Sequence, residues 1–372
     1  MNCKSTAKQN IQHSRELLSA IIERSTDLCQ SLRHSKYPVV VYGMGNGADK
    51  IFDYLAAEGI EIDGVFASDD FVRGQSFRSH TVTTIAQLEK SYTLMNVLVG
   101  FGSGRAELID RVRGICDRHR VFIPEFPVVG EGLFTKQCAM ESLDELALAH
   151  SLLADAQSQL VFERLLELKI SAEPALLWSL ATPRAEALEL LALTESEIFL
   201  DGGAYRGDSI DELLAVTGGK FCEITAFEPD RRAFRQLAKR YGSCENIRLI
   251  NSALGGIDGE IRMLDNRGRG SRIAGQTPAD KAGTPGKCMT IDALGLRPTL
   301  IKLDVEGGEL SALMSAERTI RAHRPKLHIA LYHRATDFFK LPLYISSCGE
   351  YRLYLRQHLH FPAWDLNLIA VP

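Results

Sequence analysis

The sequence predicts an α/β chain built on two largely parallel sheets joined by an all-helical stretch. Three observations carry this. Buried-strand patterns alternate with amphipathic helices in two separate blocks, one in each half of the chain. Each block opens with a strand that runs straight into a glycine turn, KYPVVVYGMGNG in the first and EIFLDGG in the second. Between them, from Thr135 to Thr194, strand signals vanish and Leu, Ala and Glu dominate. Strands that alternate with helices pair in parallel, because each crossover helix carries the chain back to the starting edge. The expected units are an N-terminal helix at 1–36, a small α/β unit at 37–134, a helical connector at 135–196, and a doubly wound sheet with an antiparallel edge strand at 197–372.

Within the first block, Ile11, Leu18, Ile21, Ile22, Leu28 and Leu32 recur at helical spacing and predict one amphipathic helix. Ala48–Glu58 follows the glycine turn as a helix, IDGVFASDD as a strand, and NVLVGFGSG and RVFIPEF as further strands. In the connector, Pro174 and Pro183 divide the helical run. In the second block the strands are EIFLDGG, EITAFEPD, NIRLINSALGG, TLIKLDVEGG, PKLHIALYH, YRLYLRQH and DLNLIAVP. Asp265–Lys287, rich in Gly, Arg, Pro and Thr, reads as a long loop.

Composition narrows the function classes. The chain has 372 residues, 45% hydrophobic and 24% charged, with a formal net charge of −4. That is ordinary globular composition. A weakly acidic chain offers no general attraction to nucleic acid or anionic membrane. The opening residues lack the apolar core of a signal peptide, and no apolar run approaches the roughly 20 residues of a membrane span. A cytoplasmic protein is the simplest reading, and a homo-oligomer is compatible with it. The eight cysteines are scattered without a CxxC pair, so they read as small hydrophobes or surface thiols.

The chemistry-bearing residues gather after strands. In DGGAYRGD, Asp201 ends a strand and Asp208 begins a helix, with Gly202, Gly203 and Gly207 in the turn. Two carboxylates beside such a turn repel pyrophosphate and suit a ligand carrying an ammonium and a sulfonium, which favours S-adenosylmethionine over NAD. Glu228, before Pro229 at the next strand's end, is placed to accept hydrogen bonds from ribose hydroxyls. Asn251, Ser252 and Ala253 follow the third strand, where adenine would lie. KLDVEGGE puts Asp304, Glu306 and Glu309 at the carboxyl edge, where ligands of open α/β sheets bind.

DGGAYRGD, AFEPD, NSALGG and KLDVEGGE, in this order, resemble the FkbM family of methyltransferases, as does the tail from Pro325. The helical stretch LLADAQSQLVFERLLELKI resembles the lead-in of its two-domain members, so the resemblance runs from about Leu152 to Pro372. It implies a class I methyltransferase-like fold, S-adenosylmethionine as cofactor, and O-methylation of a sugar or small natural product. It also implies that Asp201, Gly203 and Gly207 lie along the cofactor's methionine part. Glu228 would hold the ribose, and Asp304 and Glu306 would face the methyl-transfer centre.

An acceptor alcohol gains from losing its proton. His333, following LHIALY at the ligand edge, is the first candidate base and acceptor contact, and Asp304 the competing one. His328, mid-strand, reads as a packed core histidine, and Lys302 as a salt-bridge partner. Arg267, Arg269 and Arg272 are candidates to grip a phosphate or carboxylate on the acceptor. No metal is required, although clustered carboxylates can bind Mg²⁺.

In the first block, GMGNGA with Gly43, Gly45 and Gly47, and Asp69 at the next strand's end, form a loose dinucleotide fingerprint on a Rossmann-like unit. Nucleotide or nucleotide-sugar binding, a degenerate interaction domain and a true NAD site all fit it. Two other functions therefore stand beside methyl transfer: an NAD-dependent oxidoreductase or epimerase working through that turn, and a non-catalytic nucleotide-binding protein.

Overall fold

The protein is described from a computed structural model covering residues 3–130, 132–265, 271–273 and 283–372. Its two large sheets are those the alternation predicts. The first has six strands in the order Ser76–Phe77, His80–Thr83, Gly64–Phe66, Val39–Tyr42, Asn96–Val99 and Arg120–Phe122. All neighbours pair in parallel except the short hairpin of Ser76–Phe77 with His80–Thr83. The central strands, Val39–Tyr42 and Asn96–Val99, are buried throughout. That is why they read as unbroken apolar runs.

The second sheet has seven strands in the order Arg352–Gln357, Leu366–Val371, Lys326–Ala330, Leu300–Leu303, Ile198–Gly202, Glu223–Phe227 and Ile247–Ile250. Leu366–Val371 is antiparallel to both neighbours, so the antiparallel strand sits one in from the edge. The chain starts in the middle at Ile198–Gly202, winds outward, then returns to lay Leu300–Leu303 on the other side. This reversal is the switch point, where neighbouring crossovers leave on opposite faces and open a crevice.

Two local differences from the sequence reading, and one expected break in the connector, have physical causes. The first helix is two, Cys3–Arg24 and Leu28–Arg33, because Asp27 turns the chain and caps the second by accepting from the Cys29 amide. The connector breaks at both prolines, Pro174 opening one helix and Pro183 capping the next. The presumed loop Asp265–Lys287 is in its described parts not a loop. Ser271–Ile273 and Thr284–Met289 join Ala253–Leu254 and Gly259–Asp265 in a four-stranded sheet beside the crevice. One apolar core runs from Leu18 and Val40 through Val161 and Phe162 to Leu200, Leu327 and Phe361, so both sheets pack on the connector helices.

Candidate active site

Register sets the first row of side chains. Lys302 pairs with Asp201 on one neighbouring strand and with His328 on the other, so the three lie abreast near the carboxyl edge. Asp201 is fully buried. Its carboxylate accepts from the Ser209 hydroxyl at 2.5 Å and faces the Lys302 ammonium at 3.4 Å. Lys302 also donates to the Gly203 carbonyl at 2.9 Å. Burial works against the lysine's charge, but Asp201 and Asp304 outweigh it and hold Lys302 above the ordinary lysine range.

A cavity of about 410 Å³ opens over this row. Gly203, Ala204 and Tyr205 form one wall, Glu228 and Pro229 the next, and Ser252, Ala253 and Leu254 the floor beyond. Glu228 is held by two backbone amides, Tyr205 N–H at 2.8 Å and Asp230 N–H at 2.7 Å, one on each oxygen. Each oxygen keeps a further lone pair for a ligand hydroxyl. Burial pushes the Glu228 carboxyl up to about 7, against those two amides. Asn251 donates to the Glu228 and Pro229 carbonyls and so fixes that turn from behind.

Opposite lie Asp304, Glu306, His328, Tyr332, Trp364, Asp365 and Asn367, with Met263 and Ile273 contributed by the small sheet. Tyr332 donates to Asp304 at 3.1 Å. His333 sits behind them, 1% exposed, with Nδ1 2.9 Å from Glu309 and Nε2 3.5 Å from Asp304 and 3.9 Å from Glu306. Both ring nitrogens face carboxylates, which suits a doubly protonated ring. Burial opposes that charge, but Glu309, Asp304 and Glu306 win and raise His333 to about 10. In return, Lys302 and His333 overcome the burial of Asp304 and keep it below the usual carboxylate range. Burial, with Asp304 and Glu309 adding to it, raises Glu306 to about 7 against the pull of His333. Asp304, Glu309 and His333 also each offer a ligand atom to a cation, all within 4.8 Å of one another.

Several sequence candidates therefore meet in the cavity: Gly203, Asp208, Glu228, Pro229, Ser252, Ala253, Asp304 and Glu306. Asp201, Gly202, Gly207 and Asn251 stand outside its lining. A Cβ on Gly202 would press Leu303 at 2.8 Å, and one on Gly207 would press Tyr241 at 2.5 Å. Those two glycines serve chain packing. Asp208 is mostly solvated and lies 3.9 Å from Arg240. The expected acidic surround of the turn is thus partly neutralised within the chain, Asp201 by Lys302 above all. His333 does not reach the cavity with its ring, so acceptor contact falls to the carboxylates in front of it. His328 is no core histidine: its ring lines the cavity, and burial together with Lys302 lowers it to about 4, a neutral imidazole. Arg267 and Arg269 lie outside the described residues, and of Arg272 only the backbone, in Ser271–Ile273, is described. Tyr332, Trp364, Asp365, Asn367 and Arg184 were missed. A Tyr directly before His333 and a Trp-Asp pair just ahead of the last strand, Leu366–Val371, could have pointed to all but Arg184, for which the sequence carries no signal.

In the first sheet, a Cβ on Gly47 would lie 2.4 Å from the Gly100 carbonyl, and one on Gly43 would lie 3.1 Å from Phe101. Gly45 has open space, and Asp69 is exposed in a short 3₁₀ turn.

Residues 201–360 match the model of the family described as the methyltransferase FkbM domain. Among solved structures, the methyltransferase FkbM from Methylobacillus flagellatus KT is similar across 98% of this chain and 99% of that one, at 21% identity with a TM-score of 0.66. At that identity the likeness shows the fold. An rRNA methylase from Streptococcus thermophilus covers 51% of this chain and 95% of its own, at 16% identity and a TM-score of 0.33. A fibrillarin from Aeropyrum pernix, with S-adenosyl-L-methionine bound, covers 50% and 74%, at 15% and 0.31. Likeness that low carries no argument. No curated protein matches.

Proposed function

We propose that this chain, whose residues 201–360 match the model of the methyltransferase FkbM domain, is an S-adenosylmethionine-dependent O-methyltransferase. Its acceptor is a hydroxyl of a sugar, a nucleotide-sugar or a small natural product. One observation carries the reading: a single cavity holds a ribose-type carboxylate, Glu228, on one wall and a hydroxyl-binding set, Asp304, Tyr332 and His328, on the other.

The residues present fit the cofactor. Glu228 accepts the ribose hydroxyls, Gly203 to Tyr205 line its amino-acid end, and Ser252 and Ala253 line the adenine. The cofactor supplies an electrophilic methyl group, so alignment of the acceptor oxygen is the protein's main contribution. Asp304, ionised and itself accepting from Tyr332, accepts a neighbouring hydroxyl of the acceptor and so orients the reacting oxygen, whose own O–H points to Glu306. Glu306, poised near neutrality, takes the proton, since a base matched to ambient pH is the most effective. His333 is a positioning residue whose charge keeps Asp304 ionised. Lys302 does the same from the other side.

Calorimetric titration with S-adenosylhomocysteine tests the cofactor, with NAD as a parallel titrant. Wild type binds the first and not the second, and Glu228→Ala loses most of the affinity. No heat with S-adenosylhomocysteine overturns the reading, and heat with NAD alone favours the oxidoreductase. Transfer of tritiated methyl groups to neutral hexoses and their methyl glycosides then tests the acceptor class.

A further inference from the structure

Two of the three glycines in the first sheet's turn, Gly43 and Gly47, press against the chain's own atoms, which leaves open what that sheet does. Its carboxyl edge faces the methyl-transfer half. After Asn96–Val99 the chain turns through 100–104, where Ser103 pairs with Phe361 by two backbone hydrogen bonds of 2.7 and 3.0 Å. Gly102 lies flat against the Trp364 indole: a Cβ there would stand 2.8 Å from Trp364 Cζ3 and 3.1 Å from the Phe361 carbonyl. Phe101 meets Phe361 edge-on at 5.5 Å. The indole that Gly102 seats is a wall of the cavity.

The stretch 123–130, following the sheet's last strand, reaches the other side of the same cavity. It is anchored on its way. The Ile123 amide donates to the Ala172 carbonyl at 2.8 Å, buried Glu125 pairs with buried Lys169, and Lys50 donates to the Pro127 carbonyl at 2.8 Å. At its end the Val129 amide donates to the His333 carbonyl at 2.9 Å. The Val129 side chain covers Gly307 so closely that a Cβ there would lie 2.7 Å from Val129 Cγ2. Gly307 follows Glu306 in a turn where both have positive φ, +54° and +88°. A non-glycine residue in that region is strained and stays only where its surroundings hold it. Glu309 accepts the Val305 amide at 2.8 Å, Arg334 donates to the Gly307 carbonyl at 2.8 Å, and Val129 closes the remaining side.

We propose that the first sheet serves the methyl-transfer pocket as its scaffold, with Gly102 and Val129 as positioning residues that seat Trp364 and the Glu306–Gly307 turn. This rests on the reading of the cavity as a methyl-transfer site. The structural claim has its own test, which needs no acceptor.

The chain has two tryptophans, so Trp178→Phe leaves Trp364 as the sole indole in an otherwise full-length parent. In that parent, Gly102→Ala changes acrylamide quenching of Trp364 at least twofold, while the S-adenosylhomocysteine dissociation constant stays within twofold. Adding Trp364→Leu relieves the clash and restores the thermal midpoint that Gly102→Ala lowers, which keeps the test valid if Gly102→Ala folds poorly. Gly45→Ala, at the open position of the first turn, changes none of these. Val129→Ala speeds amide exchange at Val305–Gly307 at least tenfold with the rest of the second sheet unchanged, and Val129→Ile restores protection. Unchanged quenching in Gly102→Ala together with unchanged exchange in Val129→Ala overturns the proposal. Failure of the parent to bind S-adenosylhomocysteine overturns the functional reading instead, and leaves these two readouts to decide the scaffold.

Discussion

With the cofactor bound as proposed, Glu228 couples its affinity to pH, and the size of the effect follows from its surroundings. Its carboxyl is raised to about 7 by burial. Ribose hydroxyls donate to the ionised form, so that form is the one that binds. The apparent dissociation constant then scales as one plus the ratio of protonated to ionised carboxyl. With a folded-state value of about 7, S-adenosylhomocysteine binds about tenfold more weakly at pH 6 than at pH 8, and about another tenfold more weakly at pH 5. Glu228→Gln keeps the shape but removes the charge. Hydrogen bonds to a charged group are worth about 1.5–3 kcal/mol, so the variant binds roughly 10- to 150-fold more weakly at pH 8. Its affinity does not change between pH 8 and 5. Glu306, also raised to about 7, is the competing source of an inflection, so Glu306→Gln must keep the wild-type profile for binding. Calorimetry across this range is the assay. A flat wild-type profile, or an inflection that survives Glu228→Gln, refutes the assignment of Glu228 to the ribose.

Other perturbations test the neighbours. Lys302→Met strands Asp201, which is fully buried, and should cost about 3–5 kcal/mol in urea unfolding; Asp201→Asn added to it recovers much of the loss. His333 titrates at about 10 in the folded chain against about 6.5 when unfolded. The stability it contributes is full below about pH 6.5 and is lost as pH rises through about 10, so thermal midpoints fall across that window in wild type and flatten in His333→Gln. Gly203→Ala places a Cβ 1.9 Å from the Asp304 carbonyl at φ +79°, so it destabilises beyond the about 1–3 kcal/mol of strained backbone alone, read by thermal melting. If Glu306 takes the acceptor's proton, Glu306→Gln lowers kcat by about 10²–10⁴ with cofactor affinity unchanged.

The two sheets were legible because parallel strands buried on both faces read as plain apolar runs before glycine. The break between the first two helices was not, since apolar spacing continues across Ser25 to Asp27 and only the capping carboxylate marks it. The small sheet was missed because TPGKCM lacks apolar alternation and its partner GEIRMLD, which alternates only at Ile261 and Met263, pairs with it across the intervening segment. His328 was misread for a related reason. Mid-strand position suggests the core, but register against Lys302 and Asp201 lays it on the cavity. His333 was expected at the ligand edge and is there. Its ring turns inward because Glu309 waits behind it, a pairing across 24 residues that no local pattern encodes.

The two glycine turns show why such motifs alone do not identify a ligand. Gly203 is required because the Asp304 carbonyl lies 1.9 Å from where its Cβ would stand, and Gly47 because the Gly100 carbonyl lies 2.4 Å from its own. In each sheet the turn after the first strand is pressed against the turn after its neighbour across the switch point. A glycine is needed there whether or not anything binds. The carboxylate on the next strand separates the cases. Glu228 is 5% exposed, fixed by two amides and directed into a cavity. Asp69 is exposed at the start of a short 3₁₀ turn. Burying a carboxylate with lone pairs still unfilled is costly unless a ligand completes them. That cost is carried at Glu228 and not at Asp69, which is the reason the cofactor is proposed to bind at the second sheet and the first is proposed to shape the pocket.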